Sequence, residues 1–142
     1  MKKKSIILIL VLLLIFITVL ICSLDKNNEK KETVEEEKIQ IGMSFDSFVI
    51  ERWLRDRDVF VSTAKELGAE VNVQNANGDV EEQKKHIDYF IDKEVDAIVI
   101  VCVDSYGLRE QVEKASAAGI KIIAYDRLIT EADVDLYISF DN

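Results

Sequence analysis

The stretch that decides the fold is IIAYDRLIT, residues 122–130. It begins with an apolar run typical of a buried strand, and the run ends directly on an opposed charge pair, Asp126 and Arg127. In open α/β sheets, ligands bind beyond the carboxyl ends of the strands. An acid and a base that directly follow a core strand are therefore candidates for a binding site.

Outward from this strand, short apolar runs alternate with helical patterns. Asp79, followed three residues later by Glu82, is typical of a capping box at a helix start. The continuous apolar run at 97–103 is typical of a strand that is covered on both faces. Strands are predicted at 39–43, 70–74, 97–103, 121–125 and 137–140, and helices at 51–67, from 79 onward and at 106–118.

This order of elements predicts an α/β fold. Strands that alternate with helices through short connections form a parallel sheet with right-handed crossovers and with helices on both faces. The chain has 142 residues, which is room for one domain at most. Its formal charge of -9 argues against nucleic acid as a partner, because the phosphates of nucleic acids bind basic surfaces.

The first 24 residues have the pattern of a signal anchor. A basic start is followed by the uncharged run from Ser5 to Leu24, which as a helix would span about 30 Å, the thickness of a bilayer core. The run stays bulky to its end, so an uncleaved transmembrane anchor is predicted. A cleaved signal peptide is the second possibility. A lipoprotein signal at Cys22 is the third, although Ile21 stands where such signals have a small residue.

Residues 25–38 (DKNNEKKETVEEEK) have the composition of a hydrated linker, with a short amphipathic helix as the alternative. Residues 39–142 form the remaining domain. Cys102 falls in a predicted core strand and Cys22 in the apolar run, so no disulfide within the chain is expected.

The predicted strand ends carry carboxylates but no recognised catalytic or cofactor motif. Glycine-rich phosphate loops do not occur, and no His/Cys cluster has metal-ligand spacing. The lone histidine, His86, is expected to be a structural residue of a helix, with pH sensing as the lesser alternative. We therefore expect neither an enzyme nor a protein that uses a metal or a cofactor.

Acid, arginine and indole side chains suit a sugar. Planar charged groups match neighbouring hydroxyls, and an aromatic ring covers the apolar C–H face. Asp126 and Arg127 offer planar charged groups. Near the start of the first helix, Arg52 offers a guanidinium and Trp53 an indole. The structural alternatives are a turn with a surface ion pair for Asp126 and Arg127, and core packing for Trp53.

Five motifs follow one another along the chain: IGMSFD at 41–46, ERWLRDRD at 51–58, QNANG at 74–78, AYDR at 124–127 and YISFDN at 137–142. In this order they resemble the xylose-binding proteins of ABC transporters, which belong to the ribose/xylose branch of the type I periplasmic binding proteins. The resemblance begins near residue 38 and is to the N-terminal part of these proteins.

The resemblance implies two α/β lobes that hold a sugar between them, with residues 39–142 forming a truncated N-terminal lobe. It places the Asp-Arg pair on sugar hydroxyls and the Arg-Trp pair along the cleft. Replacing Asp126 is then expected to leave Arg127 without a partner. The sugar-binding residues that the resemblance implies are Asp126, Arg127, Arg52, Trp53, Asp46 and Asp104.

The sequence therefore predicts a membrane-tethered, extracytoplasmic receptor for a pentose such as D-xylose. Its expected partners are a monosaccharide, the membrane through the N-terminal helix, and an ABC permease to which it delivers the sugar. The alternative is a sugar-sensing co-receptor that signals through a membrane histidine kinase.

Overall fold

A computed structural model of the chain describes residues 13–18, residue 20 and residues 38–140. The chain divides into two units, residues 1–36 and residues 37–142. In the first unit, residues 13–18 and residue 20 are helical. No helix within the described ranges is long and apolar enough to cross a membrane. The rest of the predicted anchor, Cys22 and the predicted linker up to residue 37 lie outside the described residues.

The second unit is built on one sheet. Its strands lie in the order β2-β1-β3-β4-β5, and every neighbouring pair is parallel, which confirms the predicted parallel sheet. In chain order the elements are β1 (Gln40–Phe45), α1 (Glu51–Glu66), β2 (Glu70–Asn75), α2 (Val80–Asp92), β3 (Ala97–Ile100), α3 (Arg109–Ala117), β4 (Lys121–Tyr125) and β5 (Leu136–Ile138).

Apolar side chains are buried on both faces of the sheet. Ile98 and Ile100 of β3 lie in the core that α2 and α3 cover, whereas Val99 lies in the core on the side of α1. Successive side chains of a strand point to opposite faces, so one apolar run supplies both cores. Helices therefore cover both faces of the sheet, as the sequence predicts.

The third strand is shorter than its apolar run. Residues 97–103 have a strand pattern, but the strand ends at Ile100. The side-chain amide of Gln83 binds the backbone on both sides of Cys102, donating to Val101 O and accepting from Val103 N–H. Side-chain hydrogen bonds to the backbone compete with regular structure, and here they replace the end of a strand.

The third helix begins later than its pattern predicts. Helix α3 starts at Arg109 rather than at residue 106. The Asp104 carboxylate accepts hydrogen bonds from the backbone N–H groups of Tyr106 and Gly107 at 2.7 and 3.2 Å. These bonds hold the preceding residues in a turn, because an aspartate that binds the backbone two residues on imitates a backbone turn.

Helix α2 has the N-cap that the sequence predicts. Asp79 Oδ1 accepts hydrogen bonds from the backbone N–H groups of Glu81 and Glu82 at 2.9 and 3.3 Å. The second half of the predicted capping box does not form. The Asp79 N–H donates instead to the backbone oxygen of Ala76, and the Glu82 carboxylate pairs with Lys85 at 2.8 Å.

Candidate functional site

Polar side chains gather at the edge of the sheet where β1 and β4 end. Asp46 follows β1, Asp126 and Arg127 follow β4, and Arg52 and Trp53 lie in the first turn of α1. The carboxyl ends of parallel strands lie along the same edge of the sheet. Contacts between these side chains bring five of the six predicted site residues together.

Asp126 is the acceptor at the centre of this cluster. Its Oδ1 accepts a hydrogen bond from Arg52 Nη2 at 2.9 Å, and its Oδ2 accepts one from Trp53 Nε1 at 3.1 Å. Its side chain is 11% exposed. Its φ of 65° lies in the left-handed region, which aspartate tolerates better than most residues. Both oxygens of this carboxylate therefore hold α1 against the end of β4.

Arg127 pairs with a carboxylate other than its neighbour in sequence. Its Nη1 donates to Asp46 Oδ2 at 2.8 Å and to the backbone oxygen of Cys102 at 3.0 Å. The expectation that replacing Asp126 leaves Arg127 without a partner is wrong, because Arg127 pairs with Asp46. Consecutive side chains at a strand end leave the chain in different directions. Replacing Asp126 would leave Arg52, not Arg127, without its acceptor.

Arg52 is held from several sides. Besides Asp126, the Asp56 carboxylate lies 3.7 Å away, and the Arg52 Cζ lies 4.1 Å from the centre of the Phe140 ring, within cation–π range. The hydrogen bond to Asp126 raises the pKa of Arg52 above its ordinary value, although burial acts against it. Phe140 is not among the site residues predicted from the sequence, because only folding brings it to Arg52.

Tyr125, the last residue of β4, extends the polar cluster along α1. Its hydroxyl donates to Asp56 Oδ2 at 2.8 Å. Burial, and then the neighbouring Asp56 carboxylate, raise the pKa of Tyr125 to about 12. Tyr125 is therefore a neutral hydrogen-bond donor at any physiological pH.

Trp53 lies beneath the cluster. It is 1% exposed and packs in the core with Met43 and Phe45. Its indole N–H holds Asp126, and its ring centre lies 4.9 Å from the Arg127 Cζ. Trp53 is thus both a core residue and a part of the site. It supports the charged groups, and its ring is not exposed to a ligand.

Asp104, the sixth predicted residue, is exposed and turns its carboxylate to the backbone ahead of α3. Within residues 38–140 it makes no hydrogen bond to the other five. In this structure the Asp104 carboxylate therefore stabilises the turn ahead of α3.

A buried polar network, which was not predicted from the sequence, lies behind the site. Gln83 and Ser44 are 0% exposed and His86 is 7% exposed. The Gln83 amide donates to Ser44 Oγ at 3.3 Å, and Ser44 Oγ lies 3.2 Å from His86 Nδ1. Burial lowers the pKa of His86 and favours the neutral ring. The three-residue spacing of Gln83 and His86, which puts both on one face of α2, was the available signal.

Some polar atoms of the cluster have no hydrogen-bond partner within residues 38–140. Arg127 is 38% exposed, and its Nε and Nη2 have no acceptor among residues 38–140. Asp46 uses only Oδ2 in its bond to Arg127. Among the residues that the structure describes, no three His, Cys, Asp or Glu side chains could hold a metal ion together. The arrangement thus offers fixed donors and an acceptor to a polar ligand.

Residues 41–142 match the periplasmic binding protein domain family. The chain is 48% identical over 105 residues to the D-xylose-binding periplasmic protein of Escherichia coli, an overlap that covers 74% of this chain and 32% of that protein. Its identity to the D-xylose-binding periplasmic protein of Haemophilus influenzae is 46% over 104 residues, which cover 73% of this chain and 31% of that protein. The chain thus spans about a third of the length of these relatives.

Solved structures share the fold. An ABC transporter solute binding protein from Clostridium phytofermentans with bound β-D-glucose superposes with a TM-score of 0.69 at 32% identity, over 72% of this chain and 32% of that chain. A fructose-binding periplasmic domain of a hybrid two-component system gives 0.63 at 26% identity, over 70% of this chain and 33% of that chain. The resemblance to xylose-binding proteins is confirmed, and the chain belongs to the periplasmic binding protein family.

Proposed function

We propose that this protein is an extracytoplasmic receptor that binds a monosaccharide such as D-xylose and delivers it to an ABC transporter. The observation that carries the proposal is the polar cluster at the ends of β1 and β4, where the half-exposed Arg127 pairs with the partly buried Asp46. The identity of 48% to a D-xylose-binding protein supports a pentose as the ligand. Periplasmic binding proteins are solute receptors and not enzymes.

In the proposed complex, Arg127 donates hydrogen bonds to neighbouring sugar hydroxyls through Nε and Nη2, and Asp46 Oδ1 accepts one. A planar guanidinium suits two adjacent oxygen atoms, because its donors have a fixed spacing. The Arg127 guanidinium is held by the Asp46 carboxylate and the Cys102 carbonyl. It lies over the ring of Trp53, whose N–H binds Asp126. Rigid positioning favours affinity, because little side-chain freedom is lost when the ligand binds.

Tight binding is proposed to need a second lobe. The cluster lies at one edge of one lobe, so a pentose held there alone keeps a face in water. A hydrogen bond formed in water contributes only about 0.5–1.5 kcal/mol net, and immobilising a ligand costs several kcal/mol. We therefore expect residues 39–142 by themselves to bind xylose weakly.

The protein is further proposed to be tethered to the membrane by residues 1–24, on the basis of the long uncharged run in the sequence. N-terminal sequencing of the protein extracted from membranes is expected to begin at Met1. A mature terminus near Cys22, or a diacylglyceryl adduct on that cysteine, would contradict an uncleaved anchor.

The alternative function is a sugar sensor that acts through a membrane histidine kinase. It is favoured by the likeness to a fructose-binding periplasmic domain of a hybrid two-component system. The two functions differ in what the sugar-loaded protein stimulates. If the protein is a transport receptor, its sugar-loaded form should raise ATP hydrolysis by the permease and ATPase that are encoded next to its gene. If it is a sensor, the sugar-loaded form should raise the phosphorylation of a histidine kinase that is encoded there.

The proposed sugar site is tested by calorimetric titration of a form of the protein that carries both lobes, with D-xylose, D-ribose and D-glucose. Arg127→Lys keeps the charge but loses the planar fork, so it should weaken the binding of xylose at least about tenfold. The matched control is Arg109→Lys, because Arg109 binds only exposed carboxylates on and near α3. Equal affinities for the two variants would reject the site.

A further inference from the structure

We propose that Gln83 is a positioning residue of the site, which fixes Arg127 through the backbone of Cys102. Gln83 lies in α2, and within the described part of the chain it makes no hydrogen bond to Arg127 or to the other charged residues of the cluster. The role in ligand binding rests on the proposed function, whereas the effect on Arg127 can be measured without any ligand.

The first link is a two-point bond between the Gln83 amide and the chain after β3. Gln83 Nε2 donates to Val101 O at 2.9 Å, and Gln83 Oε1 accepts from the Val103 N–H at 2.7 Å. One planar amide thus holds the groups on both sides of Cys102. Because Gln83 is 0% exposed, water cannot take over either bond without a rearrangement.

The sheet itself does not hold these groups. The Val101 N–H still donates to Ser44 O of β1 at 2.9 Å, but the strand pairing of β3 ends at Ile100. Beyond that point the Gln83 amide imitates the peptide group of a neighbouring strand. It lets the chain leave the sheet while its backbone groups remain satisfied, as buried backbone groups require.

The second link runs from Cys102 to Arg127. The Cys102 carbonyl accepts from Arg127 Nη1 at 3.0 Å, and Asp46 Oδ2 accepts from the same nitrogen at 2.8 Å. A guanidinium Nη has two hydrogens, so these two acceptors occupy both. The plane of the guanidinium is then fixed, and this plane sets the directions in which Nε and Nη2 can donate hydrogen bonds. A shift of the Cys102 carbonyl would turn this plane.

The experiment compares Gln83→Met with Gln111→Met. Methionine has nearly the volume of glutamine but cannot replace the amide. Gln111 of α3 is a matched control, because it is 6% exposed and its Oε1 has no hydrogen-bond partner within the described part of the chain. Gln83→Glu is the second variant. It keeps an acceptor for Val103 and loses the donor to Val101, so it tests the link if Gln83→Met fails to fold.

The first readout is NMR, without sugar, of an isotope-labelled form of the protein that carries both lobes. The side-chain Nη signals of Arg127 are expected to be resolved in the unmodified chain and in Gln111→Met, because restricted rotation separates them. In Gln83→Met they should shift and average, and the Val103 amide should exchange faster with solvent. Unchanged Arg127 signals in a folded Gln83 variant would overturn the proposal, because Gln83 would then be merely structural.

The second readout is D-xylose affinity in a form that carries both lobes. Gln83→Met should weaken binding about tenfold when Arg127 is present, and by much less in an Arg127→Met background, where the positioned group is already lost. Equal losses in both backgrounds would overturn the coupling. If the unmodified protein binds no sugar while the Arg127 signals still respond to Gln83→Met, the proposed function fails and the positioning role remains.

Discussion

At the scale of single residues, Asp126 joins two elements through one carboxylate. Asp126→Ala removes the acceptor of the buried Trp53 N–H and of Arg52, and it leaves alanine at a φ of 65°. An unsatisfied buried donor costs about 1–3 kcal/mol, and left-handed backbone strain adds about 1 kcal/mol. We expect urea denaturation to show a free energy of unfolding lowered by about 2–4 kcal/mol.

Glu131→Ala separates the two causes. Glu131 also has a positive φ, at 59°, but its side chain is 66% exposed. Its ion pair with Arg109 is long, at 3.8 Å, and lies at the surface. Both substitutions carry a similar backbone strain, so the difference between them reports the lost acceptor. Equal changes in unfolding free energy would show that the Asp126 carboxylate does not stabilise the fold.

His86 makes the stability of the fold depend on pH. Burial lowers the pKa of His86 below its ordinary value of 6.5, and the effect of Lys85 adds to this while Glu82 opposes it. The folded state therefore binds a proton less readily than the unfolded chain. The contribution of the neutral ring is complete above pH 6.5 and falls as the pH drops from there towards the lowered pKa.

The measurement is the free energy of unfolding between pH 8 and 5, about 1.5 units either side of the ordinary His pKa. His86→Asn is the control, because its amide can still meet Ser44 Oγ but does not titrate in this range. We expect the difference in stability between the two proteins to shrink as the pH falls. A constant difference across this range would mean that His86 has the same pKa in the folded and unfolded states.

At the scale of elements, β1 and α2 approach so closely that only glycine fits between them. A Cβ on Gly42 would lie 2.5–2.8 Å from ring atoms of Phe90. Gly42→Ala should therefore lower the free energy of unfolding by about 1–3 kcal/mol, the usual cost of overpacking a core. Thermal and urea melts of the folded chain would show the loss.

Two further variants identify the cause of this loss. Gly68→Ala meets no atom within 4 Å and has a φ of 85°, so it reports backbone strain without crowding. Phe90→Ala removes the Cγ and Cδ atoms that a Cβ on Gly42 would meet. Gly42→Ala should therefore cost much less in a Phe90→Ala background than alone. Additive costs in this double-mutant cycle would show that the Phe90 ring is not the obstacle.

At the scale of the whole lobe, the face of the sheet beside α1 is incompletely covered. A groove of about 420 Å³ lies between α1, β4 and β5, and its lining includes Phe60, Ile123 and Ile138. Ile138 and Leu136 of β5 are 43% and 49% exposed. An exposed apolar edge strand is a template for association. We expect residues 39–142 to melt with low cooperativity and to self-associate at micromolar concentrations.

Sedimentation velocity measures this association directly. Ile138→Lys places a charge at the groove and the strand edge, and should shift the piece towards monomer. Tyr106→Lys is the control, because Tyr106 is 68% exposed in the turn ahead of α3, which covers the other face of the sheet. A monomeric piece with a cooperative melt would contradict this prediction and would show that the lobe is self-sufficient.

The sequence by itself determined the order of elements, the parallel sheet and the candidate strand ends. Those properties follow from patterns over a few neighbouring residues, such as the run that leads into Asp126, and local patterns suffice to predict them. The limits of β3 and α3 could not be predicted this way. Side chains of Gln83 and Asp104 replace regular backbone pairing there, and apolar periodicity does not record such bonds.

Only the tertiary structure decided which charges pair. Sequence adjacency favours a bond between Asp126 and Arg127, but Asp126 binds Arg52 across 74 residues and Arg127 binds Asp46 across 81. The choice depends on where two strand ends and one helix start meet, and on the direction in which each side chain leaves its backbone. The pairing of the charges is thus a property of the packed elements, and local sequence patterns do not contain it.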